Sequence, residues 1–287
     1  MRLLITDLDN TLYDWVSFFA RAFEAMAAEL TSLLGVDSQE LFNEFKEVHR
    51  KYGDSEHPFA VLELPAVRRH FGDLPVEELK AKLDKPLHAF NSARKRELRL
   101  YESVATTLEE LKRRGVLIIG HTEALAVNAS FRLHKLGIDK YFHRLYALEA
   151  AVPLLPPSPN RPAAQLHRPD FVELVPRSER KPNPRLLAHI CASEQVNPKD
   201  AWYVGDSLSR DIVMAQAAGV TSVWAEYGTR YDPGLWGTLV KITHWTDEDV
   251  VRDAELRRQA KTVRPDYIIK SFSELLSLVE QSQHSKG

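Results

Sequence analysis

Two aspartates two residues apart, Asp7 and Asp9, stand with Thr11 in the stretch DLDNT, directly behind the apolar run RLLIT. Asp, Asn and Thr are ordinary turn residues, so this stretch alone could be a surface turn. Further along come Thr122 in LIIGHTEA, Lys181 in RKPNP, and Asp206 and Asp211 in GDSLSRD at 205–211. Carboxylates gathered at one place repel and raise each other's pKa unless a cation sits between them. Hard carboxylate oxygens of the Asp7 and Asp206 type favour Mg²⁺, which also takes substrate phosphate oxygens. A carboxylate so held can attack phosphorus in line and form an aspartyl-phosphate. A second carboxylate two residues along, here Asp9, can protonate the leaving oxygen and then activate water. Thr122 and Lys181 would supply a donor and a positive charge to the transferring group, whose chemistry is mostly positioning and electrostatics.

For such residues to meet, the elements before them must end side by side. Short apolar runs at Arg2–Thr6, Val116–Gly120, Arg144–Leu148, Ala201–Val204, Val220–Ala225 and Tyr267–Ile269 predict buried strands. Amphipathic patterns between most of them predict helices over Val104–Arg114, Ala124–Leu136, Arg185–Ser193, Ile212–Ala218 and Phe272–Gln281. Strand–helix alternation implies an α/β fold with a doubly wound, mainly parallel sheet. In such a sheet ligands bind beyond the carboxyl ends of the strands, which is where Asp7, Asp9, Thr122, Asp206 and Asp211 fall.

Three segments interrupt the alternation. Residues 15–99 show only helical patterns (Val16–Leu34, Gln39–Tyr52, Ala60–Phe71 and Val76–Arg96), which predicts a helical cap domain inserted into a discontinuous core of 1–14 and 100–287. Residues 152–184 hold 9 of the 16 prolines and read as a surface loop without regular structure. Residues 226–265 are long for one strand connection. Composition narrows the class further. A net charge of −2 gives no general reason to expect nucleic acid or an anionic membrane as partner, and the single cysteine excludes an internal disulfide or a Cys-rich zinc site. Asp7, Asp9 and Asp14 interrupt any signal-like apolar run, and Arg21, Glu24 and Glu29 interrupt the longest helical one, so a cytoplasmic protein is expected.

In order and context these residues resemble the haloacid dehalogenase (HAD) superfamily, in the phosphatase-type branch with a helical cap inserted after the first strand. The stretches LYESVATTLEELKRRGVLIIGHT and PDYIIKSFSELLSLVE are also similar to that family's segments. The resemblance implies a Rossmann-like core and a Mg²⁺ cofactor. It makes Asp7 nucleophile and metal ligand, and Asp9 general acid/base with its carbonyl on the metal. Asp206 becomes a further ligand, Asp211 a residue behind the metal near Lys181, and Thr122 and Lys181 the phosphate-binding pair. It also implies a small phosphorylated metabolite as substrate, a cap that closes over it, and a monomer or homodimer. The family's dehalogenases lack a carboxylate at the position of Asp9, so phosphate-ester hydrolysis is favoured. A phosphomutase, a C–halogen hydrolase and a catalytically silent HAD-like binding protein stay open as alternatives.

One residue departs from the pattern. Glu123 follows Thr122, where the family places Asn or a small residue, and a carboxylate facing phosphate costs binding energy unless it turns away or meets a cation. Plainer roles compete elsewhere. Thr122 could cap the helix behind it, Arg177 or Arg180 could stand in for Lys181, and Arg68, Arg69 and His70 read as a solvated face. Phe18, Phe19, Phe23 and Met26 fall at helical spacing and read as core of the insertion, and His244 and Trp245 receive no role.

Overall fold

The structure, a computed structural model, describes residues 1–57, 59–150 and 169–284. Seven strands form one sheet: β1 (Leu3–Thr6), β2 (Leu117–Leu125), β3 (Arg144–Leu148), β4 (Val172–Val175), β5 (Ala201–Gly205), β6 (Thr221–Ala225) and β7 (Tyr267–Ile269). Their order is β4-β3-β2-β1-β5-β6-β7 and every neighbouring pair is parallel. The chain thus builds outward from β1 in one direction, returns to its other side at β5, and builds outward again. That reversal between β1 and β5 is the switch point at which α/β sheets open a crevice for ligands.

The expected α/β class and parallel sheet are present. β1 and β5 are buried along their whole length, as a strand covered on both faces must be, which is why they read as continuous apolar runs. Leu3, Ile5, Ile119, Tyr203 and Val220 join Leu187 and Ile190 of the helix Pro184–Ser193 in one core cluster. Gly137 and Gly219 follow helices and take φ of +69° and +71°, the left-handed conformation that ends a helix without a Cβ penalty.

Two local expectations change. β2 does not stop at Gly120 but continues to Leu125, through a register shift between His121 and Leu125 opposite β3. The next helix therefore begins at Ala126 rather than Ala124, with no side-chain cap. Residues 152–184 also contain regular structure, the short edge strand β4 parallel to β3. An edge strand needs hydrogen bonds on one side only, and four residues between Pro169 and Pro176 suffice. Residues 152–168 of the expected loop lie outside the described residues.

Contacts divide the chain into two compact units: Met1–Asp14 with Leu100–Arg230 and Asp253–Gly287, and Trp15–Arg99 with Tyr231–Arg252. The first carries the sheet. The second is helical, built on Trp15–Leu34, whose face of Phe18, Phe19, Phe23 and Leu30 is buried. Residues 231–252, which their position in the chain leaves with the sheet, group with the helices. Thr238 Oγ1 donates to Glu24 Oε1 at 2.6 Å, and His49 Nδ1 donates to the Ile242 carbonyl at 2.7 Å.

Candidate active site

β1 lies in register between β2 and β5, with Thr6 opposite Gly120 on one side and Val204 on the other. Whatever follows those three residues must emerge side by side. Asp7 is the first residue past β1, and its N–H donates to the Val204 carbonyl at 2.9 Å. Thr122 lies two residues past Gly120, and Asp206 just past the end of β5.

The turn after Asp7 is held from several directions. Asn10 takes φ of +57°, a left-handed conformation that Asn tolerates better than most residues. Thr11 Oγ1 donates to Asp7 Oδ2 at 3.1 Å, and the Tyr227 hydroxyl donates to the Thr11 carbonyl at 2.6 Å. Gly228 completes the wall. A Cβ there would collide with the Asn10 carbonyl oxygen and come to 2.9 Å from Asp206 Cβ, so only glycine fits. The opening of the 226–265 segment thereby acquires a structural role that its composition does not announce.

Charge concentrates around Asp7. Lys181 Nζ lies 2.5 Å from Asp7 Oδ1 and 2.9 Å from Asp211 Oδ1, and Lys181, Asp7 and Asp211 are all buried. It is the Lys181 amine, the residue expected there, that reaches Asp7. Asp211 is held further by the Ser207 N–H at 3.1 Å and the Tyr203 hydroxyl at 3.2 Å. Tyr203 in turn sits 3.3 Å from His121 Nδ1. The wide turn Leu208–Ile212 presents Asp211 inward, and a Cβ on Gly205 would collide with its carboxyl.

Asp7, Asp206 and Asp211 each offer a carboxylate oxygen, all within 4.8 Å of one another. Burial first, opposed by Lys181 and reinforced by Asp211 and Asp9, pushes the Asp7 pKa up to about 7. Burial and the charges of Asp7 and Asp211 likewise hold the Asp206 carboxyl well above its ordinary value. Burial alone would lower the Lys181 pKa, but the carboxylates of Asp211 and Asp7 raise it well above the ordinary lysine range. Three carboxylates against one ammonium leave an excess of negative charge in a buried place, and a hard cation is the group that relieves it. The donor set fits a divalent metal.

The remaining expected residues fall around this centre. Thr122 is buried and its Oγ1 accepts from the Ala124 N–H at 3.1 Å, so it holds the bulged end of β2 rather than capping a helix. Asp9 is part-exposed, and its Oδ1 lies 3.4 Å from a guanidinium nitrogen of Arg132. Arg132 is only 1% exposed and its guanidinium lies 5.6 Å from the centre of the Tyr13 ring. This arginine was not singled out in the sequence. The signal available was a charged residue on the face that Ala129 and Leu133 bury in the helix Ala126–Lys135. Glu123 turns out to meet a cation, since its Oε2 accepts from Arg210 Nη1 at 3.1 Å while Oε1 accepts from the Lys181 N–H at 3.3 Å.

Fold and site together define a doubly wound α/β protein with clustered carboxylates and a buried lysine at the switch point of its sheet. The sequence matches the haloacid dehalogenase-like hydrolase family over residues 1–219, and the related HAD-hydrolase-like family over 178–275. The chain belongs to the haloacid dehalogenase-like hydrolases. It is 28% identical over 235 residues, 81% of this chain and 87% of the other, to a glyceraldehyde 3-phosphate phosphatase of Methanopyrus kandleri. It is 25% identical over 181 residues, 63% of this chain and 58% of the other, to a phosphoglycolate phosphatase of Pasteurella multocida. Among solved structures, a 2-haloacid dehalogenase from Pseudomonas syringae superposes with a TM-score of 0.56 at 19% identity, covering 98% of this chain and 99% of that one. That likeness concerns the fold. No helix among the described residues is long and apolar enough to cross a membrane.

Proposed function

We propose that the protein is a Mg²⁺-dependent hydrolase of small phosphomonoesters that works through an aspartyl-phosphate on Asp7. The observation that carries this reading is the placement of Asp7 between a lysine ammonium and two further carboxylates, with Asp9 on the same turn. Lys181 holds Asp7 against its neighbours and would hold the phosphoryl oxygens together with Thr122. Asp7 and Asp206 would hold the metal ion with the Asp9 carbonyl, as the family resemblance implies, and Asp211 would stand behind them with its oxygens engaged by Lys181, Tyr203 and the Ser207 N–H. When bound, a divalent cation neutralises the carboxylates and the charge on the transferring group. Asp7 then forms a bond to phosphorus as the ester oxygen departs, and Asp9 gives that oxygen a proton. In the second half Asp9 takes a proton from water, which attacks phosphorus and frees Asp7.

Asp9 also separates the two chemistries open to this fold. Halide needs no proton to leave, whereas an alkoxide does, so a carboxylate at position 9 supports phosphate esters. The relatives named above act on a two-carbon acid phosphate and a three-carbon aldehyde phosphate, which supports short phosphorylated metabolites as substrates. The test is phosphate release across a panel of such esters with and without Mg²⁺. Wild type is expected to turn over at least one ester only with the metal, and Asp7→Asn is expected to turn over none. Metal-independent release, or release unchanged by Asp7→Asn, would overturn the proposal.

A further inference from the structure

We infer that Glu123 is a positioning residue for Lys181, and that Arg210 is the counter-charge that lets a carboxylate stand beside the phosphate site. The inference rests on the reading of Thr122 and Lys181 as phosphate-binding residues. Glu123 is the residue after Thr122, and its two oxygens are both engaged. One accepts the backbone N–H of Lys181 and the other the Arg210 guanidinium. Arg210 extends the chain outward, donating through Nη2 to Asp253 Oδ1 at 3.0 Å, while Asp253 Oδ2 accepts from Arg257 Nε at 2.6 Å. Asp253 is 8% exposed and Arg257 largely exposed, so Asp253 is the buried anchor for Arg210 and Arg257 its solvent-facing partner.

The connectivity gives the pair its role. Glu123 lies near the end of β2, Lys181 in the approach to the helix Pro184–Ser193, and Arg210 in the turn that carries Asp211. A single carboxylate at the end of β2 thus ties together the stretch whose lysine reaches Asp7 and the turn that carries Asp211. The backbone bond fixes the main chain of Lys181 while its amine reaches Asp7 and Asp211. A neutral side chain could accept that N–H without adding charge. With a glutamate, the added negative charge must be balanced locally or it opposes an incoming phosphate. Arg210 supplies that balance, and Asp253 with Arg257 holds Arg210 in place.

Removing the positive partner therefore weakens phosphate binding whereas neutralising the negative partner does not, a difference that a purely structural contact would not show. The measurement is calorimetric binding of inorganic phosphate in the presence of Mg²⁺. Arg210→Met leaves Glu123 unbalanced and is expected to weaken phosphate about tenfold, the size of a charge felt across a partly wet site. Glu123→Gln keeps an acceptor for the Lys181 N–H, leaves Arg210 positive, and is expected to bind phosphate as tightly as wild type or tighter. The double variant is expected to return to within roughly threefold of wild type, because its two neutral groups restore the balance. Asp253→Asn, which removes an anchor but no counter-charge, is expected to change binding less than threefold by the same reasoning.

Equal weakening by Arg210→Met, Glu123→Gln and Asp253→Asn would overturn the inference, as would a double variant no better than Arg210→Met. Should Arg210→Met fail to fold, Glu123→Gln alone decides, since weaker phosphate binding in that variant contradicts the charge balance. The hydrolase reading is judged separately by ester turnover, and wild type with Mg²⁺ that binds no free phosphate removes only the calorimetric readout. In that event the pair is still judged by thermal unfolding, where the two single substitutions must be non-additive.

Discussion

The two aspartates of DLDNT sit in different surroundings, as the different roles proposed for them require. Asp7 is buried against Lys181, whereas Asp9 is part-exposed beside the buried guanidinium of Arg132. A buried arginine costs desolvation that only a well-placed partner offsets, so Arg132 is expected to fix the orientation of the Asp9 carboxylate. Arg132→Met is expected to lower kcat on a phosphate ester roughly ten- to hundredfold with KM little changed, the range set by losing an aligned general acid/base. Arg132→Lys, which keeps the charge, recovers part of the loss. Steady-state kinetics check this, and a rise in KM with kcat unchanged would contradict it. The two residues are 123 positions apart, which is why no spacing in the sequence links them. The carboxylates, by contrast, were legible, because each follows an apolar run that had to be a strand. Glu123 was legible as an anomaly only. Its resolution by Arg210 depends on a turn whose shape is set by packing around Asp211.

Elements were readable in proportion to their burial. β1 and β5, buried on both faces, show as unbroken apolar runs, and the expected strands overlap them closely. β4 was hidden because a four-residue edge strand between prolines carries little pattern. The extension of β2 was hidden because a bulge breaks the alternation that marks a strand. Residues 231–252 were read with the core of 100–287 but group with the helices of 15–99, because their contacts are with residues some two hundred positions earlier. His49 is the central contact there. It is 2% exposed, packs on Phe45, and donates to the Ile242 carbonyl. Burial lowers its pKa to about 4, with the bond to Ile242 opposing, against 6.5 when unfolded. A histidine with a depressed folded pKa binds fewer protons folded than unfolded between those values, so its contribution is present above pH 6.5 and is lost as pH falls toward 4. Protection factors over Ser38–Tyr52 and Pro233–Ile242, taken relative to the intrinsic amide exchange rate at each pH, are therefore expected to fall on acidification from pH 7 to 4.5. In His49→Gln the two helices exchange faster at pH 7 and the pH dependence flattens. Unchanged protection in wild type across that range would refute this account.

For the chain as a whole, the buried carboxylates around Lys181 are a place where stability is given up. The Asp7 pKa near 7, against an ordinary 3.8, means that the folded metal-free protein holds a proton that the unfolded chain has already released. Between those values the native state binds more protons than the unfolded state, so the stability of metal-free protein contributed by this group falls as pH rises from about 4 to 7. Asp206 acts in the same direction, because its carboxyl is also raised by burial and by the same neighbours. A cation that binds only the folded chain reverses the effect, and more strongly at high pH, where Asp7 and Asp206 can ionise toward it. In EDTA the unfolding temperature is therefore expected to be lower at pH 8 than at pH 6. Saturating Mg²⁺ is expected to raise it by about 5 °C at pH 8 and by clearly less at pH 6, taking occupancy at a hundred times Kd. Asp7→Asn removes the ionisable group and tests the assignment directly. That variant in EDTA should show a weaker decline between pH 6 and 8, together with a smaller response to Mg²⁺. If Mg²⁺ stabilises wild type and Asp7→Asn equally, the cation sits elsewhere, and the carboxylates around Lys181 then have to be stabilised by hydrogen bonding alone.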